Sequence, residues 1–338
     1  MNRFMDSHLS VTDQVLAGQR LMTGFDGTEF NHELEFLIGR LNVGGIILFA
    51  RNIQTPPQVK KLCRDAQEYA ASCGLPPLFI AVDQEGGIVA RLKEGFTLFP
   101  QGNPFITTPE AARHFAVTTA REMRGVGLNM DMAPVLDAEP EGFSGIMHER
   151  VFRGDVTRVA ELGGVIVDTL QEHNVMAVGK HFPGIGRTTL DSHLDLPCLD
   201  TPVEALERTD LVPFRQAIRQ DVSGIMLSHI IYSSLDNRWP ASLSEKIARD
   251  LLRHRMGYDK LVLTDDLDMK AIRHDIPVVI QRILAAEIDV VLICHQGPNI
   301  ERAFSEIVKS LSSSSADRDK GLASLERILA AKRRFLSV

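Results

Sequence analysis

The chain is poor in cysteine, has no long apolar run and carries no surplus of positive charge, and each shortage excludes a class of protein. Its four cysteines, Cys63, Cys73, Cys198 and Cys294, form no CxxC pair and no regular spacing. That argues against a disulfide framework and a structural zinc site, and it fits a reducing compartment. No apolar stretch approaches the roughly 18–20 residues that a membrane span needs. The opening residues, Met1 to His8, lack the apolar core of a signal peptide, so a cytoplasmic location is expected. A net charge of -7 with dispersed basic residues gives no electrostatic footprint for nucleic acid. Neither a heptad nor a long exposed apolar helix stands out. The expectation is a monomer with no membrane or nucleic-acid partner. Also missing are a Pro/Gly/Ser linker, an HExxH pattern and a Gly-Lys-Ser/Thr helix opening.

What remains reads as an enzyme-sized α/β chain. Its 338 residues are 44% hydrophobic and 24% charged, values ordinary for a globular protein and suited to one barrel. Short apolar runs at Val43–Phe49, Leu78–Val82, Leu128–Leu136, Val175–Val178, Gly224–Leu227, Leu261–Leu263 and Asp289–Ile293 read as strands. They are mostly apolar, as parallel strands covered on both faces should be. Thr-Pro openings at Thr55, Thr108 and Thr201 predict helix starts. Asp155–Asn174 carries an apolar stripe (Val159, Leu162, Ile166, Leu170) at helical spacing, and a final helix is expected near Ser315–Leu336. Strand-then-helix repetition predicts a (β/α)8 TIM-type barrel, a single catalytic domain over residues 1–338. The runs supply seven strands, so the eighth is irregular or missing; a doubly wound open sheet is the alternative.

Polar residues gather where these runs end. Asp83 and Glu85, Asp137, Lys180 and His181, Ser228 and His229, Asp265 and Asp266, and His295 each follow a strand. A barrel would aim such groups at one mouth, although strand ends are also where chains return to water. The segment from Lys180 to His193 is the sharpest. Pro183, Gly184 and Gly186 force an irregular loop that then presents Asp191 and His193. A carboxylate bonded to one imidazole nitrogen leaves the other free to exchange a proton; a plain loop histidine beside an acid is the bland reading. In Thr264-Asp265-Asp266-Leu267-Asp268, alternation turns the adjacent acids to different sides. Asp83, Asp137, Asp265, His181 and His229 make a rival oxygen and nitrogen metal set. No spaced ligand pattern supports it, and neither metal nor cofactor is expected.

With these segments in view, the chain resembles family-3 glycoside hydrolases, in the bacterial β-N-acetylhexosaminidase branch of the peptidoglycan-recycling type. The resemblance runs from about Gly44 to Asp289. It rests on Gly44–Phe49, Asp83-Gln84-Glu85-Gly86-Gly87, Asn129–Asp137, Lys180-His181-Phe182-Pro183-Gly184, Asp191-Ser192-His193, Pro240–Ser244 and Thr264–Met269. It implies a barrel that removes β-linked N-acetylglucosamine from muropeptide-type fragments through a glycosyl-enzyme intermediate. By the same resemblance Asp265 is the nucleophile and His193 the acid/base, oriented by Asp191. Asp83, Arg91, Arg150, Lys180 and His181 would hold the sugar, a small carbohydrate being the one partner implied. Three positions depart from the pattern. Ile185 stands where the family usually has His, the lead-in to Arg150 differs, and Ala286–Asp289 carries Glu and Ile in place of the usual Gly and variable residue. The alternatives are substrate-assisted hydrolysis, phosphate as acceptor, or a sugar-binding sensor that has lost turnover.

Overall fold

The computed structural model describes residues 11–192 and 194–336. Eight parallel strands close into a barrel: β1 (Leu21–Thr23), β2 (Gly45–Leu48), β3 (Phe79–Val82), β4 (Met130–Asp131), β5 (Met176–Phe182), β6 (Gly224–Leu227), β7 (Leu261–Asp266) and β8 (Val290–Ile293). Each strand pairs with its neighbours in sequence, and β1 closes the ring by pairing Leu21 with Val291 and Met22 with Gly45. Closure rules out the open doubly wound sheet. It also supplies the strand that the apolar runs did not: β1 is three buried residues sitting directly behind helix α1 (Asp13–Gln19). A run that short has no periodicity to detect. Gly24 just beyond it lies so close to β8 that a Cβ there would stand 2.0 Å from the Cys294 carbonyl oxygen.

The expected strand at Leu128–Leu136 is the other correction. Only Met130–Asp131 pairs as strand, followed by an isolated bridge from Val135 to Lys180. Pro134 interrupts the run, and it has no N–H to give the ladder.

Alternation sorts the side chains into two apolar layers. Met22, Ile47, Phe79, Ala81, Met130, Met176, Val178, Leu261, Leu263, Val290 and Leu292 fill the lumen. Leu21, Ile46, Ile80, Val82, Ala177, Val262 and Val291 face the surrounding helices. In α5 (Val156–Glu172), Asp155 caps the first turn by accepting from the Arg158 amide, and Val159, Leu162, Ile166 and Leu170 are buried. Each such side chain contributes about 1.5–3 kcal/mol on burial, so an acid at Leu162 would break this contact. Thr55 and Thr108 cap their helices as expected, but the helix Val203–Arg208 has Pro202 at its cap and no side-chain bond. The last helix, α10 (Ser315–Leu336), runs under the barrel and inserts Ile328 and Phe335 into the lumen cluster from its N-terminal end. No helix among the described residues is long and apolar enough to cross a membrane.

Candidate active site

The lumen parity decides where the charged residues point. On β3 the inward series Phe79, Ala81 continues to Asp83; on β5 Met176, Val178 continues to Lys180; on β7 Leu261, Leu263 continues to Asp265. Three strands therefore aim two carboxylates and an ammonium group at one mouth. Asp266 falls on the opposite side, where its Oδ1 accepts from the amides of Cys294 at 2.9 Å and Asp268 at 3.1 Å.

A network of charges is built around Lys180. Its Nζ lies 2.7 Å from Asp83 Oδ1 and 2.6 Å from Glu85 Oε1, with only 3% of the side chain exposed. Burial alone would strip the charge from this lysine, but Asp83 and Glu85 overcome that and raise its pKa. Arg150 grips the same Glu85 with a two-pronged fork, Nε at 2.9 Å and Nη2 at 2.7 Å. Against the burial that would raise it, Lys180 and Arg150 hold the Glu85 carboxyl down at about 2.

His181 sits beside this network. Its Nδ1 lies 2.7 Å from Asp137 Oδ2, so that nitrogen carries the hydrogen and donates. Nε2 then faces the Arg150 guanidinium at 3.5 Å. Asp137 is fully buried, and its Oδ1 accepts from the amides of His181 at 3.3 Å and Ile185 at 2.8 Å.

Arg91 arrives on the short hairpin after β3, which pairs Gln84 with Ala90. Gly86 and Gly87 turn it with φ of 82° and 60°, the left-handed region that glycine enters without a Cβ penalty. Gln84 Oε1 fixes the hairpin by accepting from the amides of Arg91 and Leu92. Arg91 Nη2 stays 3.9 Å from Asp83 Oδ2, and its buried Nε has no partner among the described residues. That leaves a donor for a hydroxyl or carbonyl.

The two adjacent acids are driven apart. Burial pushes Asp265 up, yet His229, His181, the Asp266 amide and Lys180 outweigh it and hold its pKa below the usual carboxylate range. Asp266 moves the other way because burial dominates over its backbone hydrogen bonds. Asp265 is thus ionised at neutral pH. His229 is fully buried, with Nε2 donating to the Asp266 carbonyl at 2.8 Å and Nδ1 2.6 Å from Ser242 Oγ.

The Pro183–Ser192 loop is tethered at several points. Arg187 bonds Asp210 and Thr209, Thr188 O accepts from Ile146, and Ser192 O accepts from the Ala271 amide at 3.2 Å. The last contact brings the end of the loop, just past the part-buried Asp191, against the segment that follows β7. Gly186 lets the loop lie close, since a Cβ there would stand 2.1 Å from the Ala138 carbonyl oxygen. Ile185 turns into the apolar core and is 5% exposed. His193 lies outside the described residues.

Six of the eight residues singled out from sequence are thus placed at or beside the mouth: Asp83, Arg91, Arg150, Lys180, His181 and Asp265. Asp191 lies on the loop, one residue before the Ser192 contact with Ala271. From sequence, Glu85 has no role beyond a strand end, and Asp137 and His229 none beyond that and the rival metal set. In the fold Glu85 holds Arg150 and Lys180, Asp137 holds His181, and His229 holds the Asp266 carbonyl. The rival metal set does not assemble, because Asp137 is committed to His181 and two amides, and His229 to Ser242 and a carbonyl. A cavity of about 260 Å³ lies at the opposite end, between Ser223, Leu261, Arg334 and Phe335, away from all these groups.

A family model, the glycosyl hydrolase family 3 N-terminal domain, matches residues 11–331. A β-hexosaminidase of Methylobacillus flagellatus is 35% identical over 309 residues, covering 88% of this chain and 86% of its own. One from Pseudomonas aeruginosa is 35% identical over 292 residues, covering 85% and 86%. Among solved structures, a glycoside hydrolase family 3 β-N-acetylglucosaminidase from Paenibacillus superposes on 96% of this chain with a TM-score of 0.90 at 35% identity. The chain spans 63% of that longer protein.

Proposed function

The chain belongs to glycosyl hydrolase family 3 and is a glycoside hydrolase; on that premise we propose that it removes N-acetylglucosamine from the non-reducing end of its substrate with retention of configuration. Asp265 is the nucleophile. Its carboxylate attacks the anomeric carbon while the glycosidic oxygen departs with a proton from His193, leaving a glycosyl ester on Asp265. His193 then takes a proton from water, the water oxygen bonds the anomeric carbon, and the ester bond breaks to free Asp265. Asp191 orients the imidazole through these two transfers. Lys180, Arg150, Arg91 and His181 Nε2 offer polar contacts to the hydroxyls and the acetamido group, and Asp83 accepts from a hydroxyl. A muropeptide-type aglycone and a cytoplasmic, monomeric protein complete the proposal; four free cysteines suit that compartment.

The observation that carries this reading is the lumen-facing carboxylate of Asp265, kept ionised by the histidines and lysine around it. Substrate-assisted hydrolysis would use a protein acid to steer the acetamido oxygen. Asp266, the second acid, is turned away to the amides of Cys294 and Asp268, which favours direct attack. The test is Asp265→Ala with an aryl β-N-acetylglucosaminide, assayed with and without phosphate. Turnover should fall at least a thousandfold with circular dichroism unchanged, and a 2-fluoro sugar should label Asp265 in the native protein. Undiminished turnover would remove Asp265 from the chemistry. Persistent absence of a covalent adduct in active protein would favour substrate assistance.

A further inference from the structure

We propose that Asp266, Asp268 and His295, behind the nucleophile, form a binding site for a divalent transition-metal ion of the zinc type. These three residues offer ligand atoms that all lie within 4.8 Å of one another. His295 Nδ1 is 3.5 Å from Asp266 Oδ2 and 3.6 Å from Asp268 Oδ2. Those separations are too long for hydrogen bonds. They are close to the edge of a tetrahedron whose metal–ligand bonds are about 2.0–2.1 Å, an edge of roughly 3.4 Å.

The remaining oxygens are held in place by neighbours. Asp266 Oδ1 takes the amides of Cys294 and Asp268, and Asp268 Oδ1 takes Asn299 Nδ2 at 3.0 Å. Such outer contacts fix the direction in which a carboxylate presents its second oxygen. The His295 ring is stacked against Phe49, with centroids 6.4 Å apart and planes 21° apart, which restricts its rotation.

Charge gives a second, independent argument. Asp266 and Asp268 set two carboxylates beside one imidazole, and among the described residues neither makes an ion pair with a lysine or arginine; His295 is their partner. Elsewhere at the mouth, Asp83 and Glu85 each have a cation within 2.7 Å. An added dication would restore that balance. The donor set of one imidazole and two carboxylates suits zinc better than calcium or magnesium, which prefer all-oxygen shells. His295 is exposed, so an ion can enter from solvent and keep a water as its fourth ligand.

Occupancy would be felt by the catalytic group. The Asp266 amide donates to Asp265 Oδ1 at 2.8 Å, and a nearby dication makes a carboxylate a poorer nucleophile. Zinc is therefore an inhibitor here and no part of turnover. The test is equilibrium dialysis and an aryl-glycoside assay with zinc chloride on the full chain, alongside His295→Ala and Asp268→Asn. Native protein should bind one zinc per chain in the micromolar range and lose at least fivefold in turnover when loaded. Both variants should weaken binding tenfold or more and keep metal-free turnover within about twofold. Native protein that binds no zinc at millimolar concentration would reduce the cluster to an ordinary histidine–carboxylate pair. Variants that bind or are inhibited as the native protein is would place the ion elsewhere, and binding with unaltered turnover would overturn the coupling to Asp265.

Discussion

Two lysines are buried in this barrel, one at each end, and their surroundings differ in kind. Lys180 at the mouth is wedged between Asp83 and Glu85, which keep it charged. Lys332, on α10 beneath the floor, is 2% exposed and lies 2.7 Å from Gln19 Oε1, with its Nζ 5.1 Å from the centre of the Phe79 ring. It has no carboxylate partner among the described residues, and burial lowers its pKa to about 7. At the mouth, Lys180 is taken out of water with opposite charge on two sides. At the floor the lysine serves as a packing stem, and its ammonium group is tolerated at a cost in stability.

Replacing each lysine by methionine tests that contrast. Lys180→Met leaves part-buried Asp83 with only Arg91, 3.9 Å away, and buried Glu85 with only Arg150. It should lower stability by about 3–5 kcal/mol, as breaking a buried ion pair does, and cut kcat/KM at least a hundredfold. Thermal melts and aryl-glycoside kinetics measure both, and a stable, active variant would break the comparison outright.

Lys332→Met should act in the opposite direction. The unfolded lysine holds its proton up to about pH 10.4, whereas the folded one releases it near 7. Between those values the unfolded chain binds more protons, so native stability rises with pH across the window and the penalty is full below it. The variant should therefore be more stable by about 1–3 kcal/mol at pH 6.5, where the penalty exceeds the lost bond to Gln19. The gain should vanish by pH 10, with turnover unchanged. A gain independent of pH would show that the folded lysine keeps its proton as the unfolded one does, with no lowered pKa.

The smallest effect concerns the edge of the charged region. Ile185→His would put an imidazole among apolar side chains, at a position whose backbone amide already serves Asp137. A loss of about 1–2 kcal/mol in melting experiments, with kcat within threefold, is expected. A tenfold rise in kcat would instead extend the catalytic group to this position.

Much of the scaffold is written locally. Apolar runs locate seven barrel strands, and α10 falls where its charged helical pattern puts it. β1 escapes because three residues carry no period, and its place is secured by close glycine contacts that only the closed ring creates. The site divides in the same way. Asp83, Lys180 and Asp265 are visible as polar residues ending apolar strands, and alternation foretells that Asp265 and Asp266 separate. The work of Glu85 and Asp137 is not visible, because it lies in pairings across the mouth. Glu85 meets Arg150 65 residues away, and Asp137 meets His181 44 residues away. No local spacing records such a meeting.

Asp137 also limits how this enzyme can diverge. One carboxylate sets the tilt of the His181 ring and, through the Ile185 amide, the point where the Pro183–Ser192 loop leaves the barrel. Under the proposed mechanism, sugar preference and the approach of the loop therefore share a single mechanical pivot. A lineage that retunes one inherits a change in the other, so new substrates are more readily gained through Arg91 and its hairpin, which hang from a separate support.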